Sequence, residues 1–329
     1  MKDPYSKDPY SKDTYSKDAF TKDSLRNATL RQLQIFMVAA EHESYARAAE
    51  TLHLTQPAVS MQMKRLAEMA KIDLFVKSGR ELKLTSAGKT LLPYVRQITQ
   101  TIREAGEELD AIKGARHGQV KVGMVTTTQY FSPRLITEFN KQYPEIELEV
   151  VIANRRSIIS RLENNEIDLA IMGRTPSRVP VTAERFFDHP YVIIASKSHY
   201  LAKQSIINPE HLKGEPFLVR ENGSGTRLLL DHFFTEHNLH PPKLHEFTSN
   251  ESIKQGVMAG MGIAIISAHT IHLEKTINLL SILDIDTMPI MRDWYILHLN
   301  TKVLSPAAAA FQQFMQKQAP KLMKNIFLS

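Results

Sequence analysis

Residues 44–60 read SYARAAETLHLTQPAVS, and their pattern predicts the architecture of the N-terminal part of the chain. Ser44 and Thr55 each precede a run with apolar residues at helical spacing, and both residue types cap helix N-termini. Pro57 falls in the first turn of the second helix, where a missing backbone N–H is tolerated. A short helix, a tight turn and a second helix with a polar face are typical of a helix-turn-helix that enters the major groove of DNA. An ordinary helical hairpin with a solvated polar face is the alternative.

The segments on either side of this motif complete a small DNA-binding domain. Thr29 begins a preceding helix, and a hairpin with cations near its tip is predicted between Leu74 and Leu84. Such a hairpin is a wing suited to phosphates or to the minor groove. The candidate DNA-binding residues are Ser44, Arg47, Thr55, Gln56, Pro57, Ser60, Gln62, Lys64, Arg65, Lys77, Arg80 and Lys83.

A long helix is predicted to begin at Ser86, and its apolar residues from Leu91 to Ile112 form one stripe. A small domain cannot cover the stripe of a helix of about 25 residues. We expect the same helix of a second subunit to cover it, so the chain is predicted to form homo-oligomers. Gly114 and Gly118 mark the end of this segment.

The composition limits the class of protein. The chain has 329 residues, a formal net charge of +6 and no cysteine, which excludes disulfide scaffolds, thiolate metal sites and a cysteine nucleophile. Residues 1–27 contain a tandem pentapeptide whose repeats begin with Lys-Asp, and this tail is expected to be disordered because it cannot bury an apolar face. No segment has the pattern of a signal peptide or a membrane span, so a cytoplasmic location is expected.

From Gln119 onward, predicted strands and helices alternate, which indicates an α/β domain with a parallel sheet. Ligands of such sheets bind beyond the carboxyl ends of the strands, where hydroxyl-rich and cationic loops occur in this chain. The small-residue turn at 223–226 exposes backbone N–H groups at a helix N-terminus, which favours an anion. The candidate ligand-binding residues are Thr126, Thr127, Thr128, Asn154, Arg155, Arg174, Gly223, Ser224, Gly225 and Thr226.

These loops predict a small anionic metabolite as the ligand, with phosphorylated compounds among the candidates, held by Arg174 and the turn at 224–226. The alternative is that the loops are solvated turns with surface arginines. Enzymatic patterns are missing, because Ser224 lacks the spacing of a nucleophile elbow and the glycines at 256–262 do not form a dinucleotide motif. His269 and His272 have no evident third metal ligand. We therefore expect neither an enzyme nor a cofactor.

Several strings of residues together resemble the LysR-type transcriptional regulators. These strings are 44–50 (SYARAAE), 52–60 (LHLTQPAVS), 74–75 (LF) and 84–88 (LTSAG). Within that family, further segments resemble the branch that controls the RuBisCO (Calvin-cycle) operons. These segments are 168–174 (DLAIMGR), 219–227 (VRENGSGTR) and 248–254 (TSNESIK), and Asn250 in the last of them is a further candidate effector ligand.

The resemblance implies an α/β protein with a winged helix-turn-helix, a linker helix for dimerisation and a periplasmic-binding-protein-like effector domain. The effector domain is expected to hold its ligand between two α/β subdomains joined by two crossing strands. The implied partners are double-stranded DNA, further copies of the chain in a dimer of dimers and, as a candidate, RNA polymerase. The expected bounds are 28–87 for the DNA-binding domain, 88–117 for the linker, and 118–329 for the effector domain, with subdomains at 118–183 plus 286–329 and at 184–285.

Three positions depart from the family pattern. Ala67 replaces the usual Glu, and Lys71 stands at a helix end where the family usually has a Gly, whose left-handed conformation is favourable there. Lys77 replaces the usual Arg and loses the bidentate fork of the guanidinium. A cleft-type solute-binding protein without a role on DNA is the alternative function, and the predicted helix-turn-helix argues against it.

Overall fold

A computed structural model describes residues 25–78, 81–112 and 117–327. Contacts divide the chain into two compact units, Met1–Thr101 and Ile102–Ser329. The predictions for the tail at residues 1–24 and for Arg80 lie outside the described residues. Leu25, which the predicted bounds assign to the tail, packs against the core of the N-terminal unit. In the described part, no helix is long and apolar enough to cross a membrane.

Three helices form most of the N-terminal unit. They are α1 (Leu30–His42), α2 (Tyr45–Thr51) and α3 (Gln56–Ala70). The side chains of Thr29, Ser44 and Thr55 each accept a hydrogen bond from a backbone N–H in the first turn of the following helix. The three predicted helix starts are therefore confirmed.

The core of this unit joins the helices to a two-stranded antiparallel hairpin. Phe36 of α1 is fully buried, and its ring centre lies 5.4 Å from that of Phe75 in the first strand. Ala48 and Ala49 of α2 are buried in the same core, which lets α2 pack closely against its neighbours. The strands of the hairpin are β1 (Phe75–Ser78) and β2 (Glu81–Leu84), at the position predicted for the wing.

Helix α4 (Ser86–Ile112) has 27 residues and follows the hairpin directly. Val95 is fully buried in the core of the N-terminal unit. The apolar residues further along are exposed in the single chain, including Ile98 at 42%, Ile102 at 48% and Leu109 at 61%. The chain by itself therefore covers only the first part of the predicted apolar stripe.

The first three strands of the second unit form the predicted parallel arrangement, which is confirmed. Its strands β3 (Gly118–Val125), β4 (Ile146–Ala153) and β5 (Leu169–Met172) lie in the order β4-β3-β5, and both pairings are parallel. Helices α5 (Ser132–Gln142) and α6 (Arg155–Glu163) connect them. The carboxyl ends of these strands therefore lie at one edge of the sheet.

Two long strands, β6 (Val181–Ser196) and β11 (Ile290–Leu299), pair with each other and serve both subdomains. Strand β11 pairs with β5 of the first subdomain, whereas β6 pairs with strands of the second. Along the chain, the second subdomain is inserted between β6 and β11. The residues after β11 return to the first subdomain and complete it. The remaining elements are β7 (Phe217–Arg220), α7 (Gly225–Glu236), β8 (Leu244–Phe247), α8 (Asn250–Met258), β9 (Ala264–Ser267), α9 (His272–Thr276), β10 (Leu280–Ile282), α10 (Pro306–Lys317) and α11 (Ala319–Phe327).

Trp294 of β11 is fully buried where the two crossing strands change register. Its indole Nε1–H donates to Nδ1 of His269 at 3.1 Å, and its ring centre lies 5.1 Å from that of Phe131. An aromatic cluster of this kind contributes beyond the burial of its area, because the rings meet in edge-to-face and offset geometries. The cluster therefore fixes the side chains of His269 and Phe131 against Trp294.

A buried ionic network holds the last part of α4 against the first subdomain. Lys302, whose side chain is 6% exposed, donates to Asp168 at 2.6 Å and lies 3.6 Å from Glu104 of α4. Arg103 of α4 lies 3.6 Å from the same aspartate. Because a buried charge without a partner destabilises the fold strongly, the network fixes the position of the helix end.

Helix α3 ends at Lys71 in the left-handed conformation, with φ of 55°. Replacing Lys71 by Gly should raise the free energy of unfolding of the N-terminal unit by about 0.5–1 kcal/mol, because only glycine adopts this conformation without a steric penalty. Urea denaturation followed by circular dichroism measures the change. Lys71→Ala is the matched control, since it removes the charge but keeps Cβ. Equal stabilities of the two variants would show that the backbone at this position is not strained.

Candidate functional site

Helix α3 presents a polar face to solvent. Val59, Met63 and Leu66 are buried against the rest of the unit and fix the orientation of the helix. The exposed residues of the predicted set are Gln56, Pro57, Ser60, Lys64 and Arg65. Lys64 forms a surface ion pair with Glu68 at 4.0 Å, which both side chains can leave at little cost. This face has the polar and cationic side chains that base edges and phosphates require.

Some residues of the predicted set have structural roles. Thr55 and Ser44 accept backbone hydrogen bonds as helix caps, at 3.4 Å from the N–H of Ala58 and 3.3 Å from that of Arg47. Gln62 is half-buried, and its Oε1 accepts a hydrogen bond from Gln32 of α1 at 3.0 Å. The structure thus places Gln62 beside α1 and not on the outward face, because helical periodicity turns it toward the core.

Sequence reasoning missed one residue of this outward face. Met61 is 47% exposed and lies between Pro57 and Lys64 at helical spacing. The prediction considered only polar residues there, although the spacing from the buried Val59 and Met63 already turns Met61 outward. An apolar side chain at this position is suited to contact a thymine methyl group.

Further cations lie on α2 and on the hairpin. Arg47 is exposed on α2, and Lys77 and Lys83 are exposed on β1 and β2. Phosphate contacts of this kind position a protein on the duplex without reading its sequence. With the exposed face of α3, these residues form the candidate DNA-binding surface.

A cavity lies between the two subdomains of the second unit, and we call it the effector cavity. Eight residues of the predicted set line it, namely Thr126, Thr127, Asn154, Arg155, Arg174, Ser224, Gly225 and Thr226. The lining residues that sequence reasoning missed are Val125, Gly173, His189, Tyr191, Leu228, Leu229, His232 and Arg292. The loops predicted from the two halves of this unit therefore meet at one place.

Three predicted residues lie beside the cavity and not in its lining. The Thr128 hydroxyl donates to the carbonyl of Val125 at 2.8 Å and closes a turn. The Gly223 carbonyl accepts the N–H of Arg156 at 3.1 Å. The Asn250 side chain accepts a hydrogen bond from Arg220 at 2.7 Å. Their side chains or backbones shape the site without facing its interior.

Two helix N-termini from different subdomains meet at the effector cavity. Helix α6 begins after Asn154, whose side chain caps it, and α7 begins after Ser224 in the same way. The hydrogen bond from Arg156 to Gly223 joins the two helix starts. Because the N-terminus of a helix carries partial positive charge, the two together favour a bound anion.

The charged side chains of the cavity lining are cationic. Arg155, Arg174 and Arg292 line it, whereas neither Asp nor Glu belongs to its described lining. Burial, and in addition the charge of Arg174, lower the pKa of Arg155. The guanidinium Nε of Arg155 is buried without a hydrogen-bond partner among the described residues, although its Nη2 donates to the carbonyl of Thr175. This arrangement leaves positive charge and donor capacity unsatisfied in the cavity.

Contacts across the cleft hold the two subdomains together. Arg220 of β7 is 1% exposed and donates to the hydroxyl of Thr126 in the first subdomain at 3.3 Å. The Tyr130 hydroxyl, also in the first subdomain, donates to Glu251 of α8 at 2.8 Å. The ammonium of Lys254 lies 4.7 Å from the centre of the Tyr130 ring. These three contacts join the two subdomains across the cleft.

Comparison with known proteins places both units in one family. The model of the bacterial regulatory helix-turn-helix proteins of the LysR family matches residues 30–89. The model of the LysR substrate binding domain matches residues 113–320. The two matches cover the candidate DNA-binding surface and the effector cavity, respectively.

The similar proteins include regulators of carbon fixation. The HTH-type transcriptional regulator CbbR of Rhodospirillum rubrum is 43% identical over 88% of this chain and 96% of its own length. The RuBisCO operon transcriptional regulator of Allochromatium vinosum is 40% identical over 89% of this chain and 97% of its own. Among solved structures, the regulatory domain of Synechocystis PCC6803 CcmR in complex with 2-PG is 39% identical, with a TM-score of 0.60, and covers 62% of this chain and 100% of that domain.

The chain therefore belongs to the LysR family, and it is a DNA-binding transcriptional regulator with an effector-binding domain. The predicted family and fold class are confirmed, as is the resemblance to the RuBisCO operon branch.

The effector unit should lose stability as the pH falls from about 6.5 to about 5. Burial lowers the pKa of His269 to about 4, and burial followed by the nearby His269 holds that of His189 well below its ordinary value. The unfolded chain takes up protons on both rings below about pH 6.5 while the folded unit does not, so each histidine costs about 1.4 kcal/mol per pH unit.

Urea unfolding at several pH values in this range measures the slope. His189→Phe should reduce the slope by about half, because one of the two titrating rings is removed. A substitution of the exposed His240 is the control and should leave the slope as it is. An unchanged slope in the His189 variant would contradict the assignment.

Proposed function

We propose that this LysR-family regulator controls a carbon-fixation operon and is switched by a small phosphorylated metabolite in the effector cavity. The observation that carries the effector assignment is the cavity itself, where three arginines and two helix N-termini meet without a carboxylate in the described lining. The operon assignment rests on the similarity to CbbR and to the RuBisCO operon regulator.

The arginines favour an effector with more than one negative charge. Burial lowers the pKa of Arg155, and the nearby charge of Arg174 lowers it further, so the protonated Arg155 is held in an unfavourable environment. A dianionic phosphate relieves this repulsion and accepts the unpartnered Nε–H of Arg155. The complex of CcmR with 2-PG supports the same class of ligand for this chain.

The effector acts by changing the balance between open and closed forms of the cleft. Its contacts come from both subdomains, because Arg155 and Arg174 belong to the first and Ser224 to Thr226 to the second. A ligand that contacts both sides binds the closed form more tightly, and only this difference in affinity can shift the equilibrium. The bonds from Arg220 and Tyr130 across the cleft then determine how much closure occurs before the ligand arrives.

The regulator is further proposed to act as a homodimer, and as a dimer of dimers on DNA. The exposed apolar residues Ile98, Ile102 and Leu109 of α4 support this, because water-exposed apolar rows on long helices are stabilised by a partner helix. A dimer presents two copies of α3 to a partly symmetric DNA site.

The protein is proposed to act in the cytoplasm, where bacterial DNA lies, and to require no cofactor and catalyse no reaction. The similar proteins are transcriptional regulators, which supports this inference. Binding of an effector and of DNA is sufficient for regulation, because the free energy of switching comes from binding.

Arg65→Ala should weaken binding to the promoter region of the carbon-fixation operon by about 1–3 kcal/mol, because an exposed arginine on the reading helix contacts a base edge. Fluorescence anisotropy with labelled promoter DNA at several salt concentrations measures the loss. Arg134→Ala removes the same charge from the surface of α5 and is the matched control. Unchanged promoter affinity in the Arg65 variant would remove α3 from the role of reading helix, and a wild-type protein without preference for this promoter would overturn the operon assignment.

Arg174→Ala should weaken the binding of 2-phosphoglycolate by about tenfold or more, because it removes a charged contact to the anion. Isothermal titration calorimetry on the full chain measures the affinity. Arg178→Ala is the matched control, since Arg178 is an exposed arginine outside the cavity lining. Equal loss in both variants would point to a general electrostatic effect and against a phosphate site at Arg174.

A further inference from the structure

His189 of β6 is a buried side chain of the effector cavity, and its polar atoms have no hydrogen-bond partner in the described part of the chain. The residue is 1% exposed and belongs to the cavity lining. Both ring nitrogens lack a hydrogen-bond partner among the described residues. The ring is stacked on Trp294, with the ring centres 3.9 Å apart and the planes at 13°.

Packing fixes the ring in this orientation. Tyr191 lies 4.5 Å from it between ring centres, on the same strand. Gly173 lies against its edge, and a Cβ at that position would be 2.5 Å from Nδ1. Because a side chain at 173 would displace the imidazole, the glycine is needed to keep the ring where it is. Gly173 also lines the effector cavity.

The neighbouring His269 belongs to the same aromatic cluster but, unlike His189, makes a hydrogen bond within the fold. Its Nδ1 accepts the indole N–H of Trp294 at 3.1 Å. His189 has no such contact, although buried polar groups in proteins are nearly always hydrogen-bonded. An apolar ring would be more favourable for the empty protein, so the imidazole is explained better by a ligand than by the fold.

The groups that face His189 keep its ring neutral. Tyr191, His269 and Trp294 surround it, and Arg174 and Arg292 line the same cavity. Burial, and then His269, hold its pKa well below the ordinary value. A neutral imidazole offers one N–H donor and one acceptor. The imidazole therefore offers directional hydrogen bonds to a ligand, while the arginines attract its negative charge.

We propose that His189 binds a second oxygen function of the effector, a carboxylate or hydroxyl oxygen, while the arginines and helix N-termini hold its phosphate. His189 is thus a specificity residue that distinguishes a phosphorylated acid or alcohol from a simple phosphate. The inference rests on the proposed function, in which a phosphorylated metabolite occupies this cavity.

The test compares two ligands on two proteins. 2-Phosphoglycolate and ethyl phosphate share the phosphate, the ester oxygen and the CH2 group. Ethyl phosphate has a methyl group in place of the carboxylate. His189→Phe keeps a flat ring on Trp294 and removes both nitrogens. Titration calorimetry on the full chain should show about 10-fold to 100-fold weaker binding of 2-phosphoglycolate to the variant, and the same binding of ethyl phosphate within about twofold.

A second readout separates a ligand contact from a structural role. Without ligand, His189→Phe should melt about 2–4 °C higher than the wild type, because it removes an unsatisfied buried polar group. His240→Phe, a substitution of an exposed histidine outside the lining, is the control and should leave the melting temperature unchanged. A structural histidine would give the opposite sign, a lower melting temperature in the variant.

The outcomes distinguish this inference from the proposed function. If the wild type binds neither ligand, the phosphate site and the role of His189 both fail. If the wild type prefers 2-phosphoglycolate and the variant prefers it equally, the proposed function stands and the role of His189 is overturned. A variant that loses both ligands to the same extent would likewise show that His189 only supports the shape of the cavity.

Discussion

The ladder between β6 and β11 joins residues 181–191 to residues 290–299, and both subdomains of the effector unit are built on it. The same two strands bring His189 and Arg292 to the cavity, and Trp294 of β11 is fully buried with its ring stacked on that of His189. Because the strands continue from one subdomain into the other, any motion between the subdomains has to bend or twist this ladder. The cavity, the aromatic cluster around Trp294 and any motion between the subdomains therefore depend on the backbone hydrogen bonds between β6 and β11.

Local sequence patterns predicted the features of the structure that short stretches of sequence determine. The caps Thr29, Ser44 and Thr55 determine where helices start, and the loops after β3, β4 and β5 meet because parallel strands end at one edge. His189 and Arg292 escaped prediction because they lie about one hundred residues apart and meet through strand register, which no short motif encodes. The orientation of Gln62 toward α1 follows from its helical spacing to the buried Val59 and Leu66, whereas its hydrogen bond to Gln32 of another helix could not be read from a local pattern.

Several side chains of the effector cavity are in environments that lower the stability of the fold. Arg155 and Arg174 repel each other, and among the residues that the structure describes neither the Nε–H of Arg155 nor the two ring nitrogens of His189 have a hydrogen-bond partner. Each of these is satisfied by an anion that carries more than one oxygen function. Functional sites commonly hold such unfavourable groups, and in the proposed function they add to the free energy that effector binding releases.

The ionic network at Lys302, Asp168 and Glu104 turns α4 into a lever whose base is fixed in the first subdomain. At 27 residues and 1.5 Å per residue, the helix is about 40 Å long. From Glu104 to Ser86 the helix runs about 27 Å, so a tilt of about 5° at the network displaces its N-terminal end by about 2.4 Å. The position of this network along α4 thus sets how far a small rotation of the fixed segment is magnified along the same continuous helix.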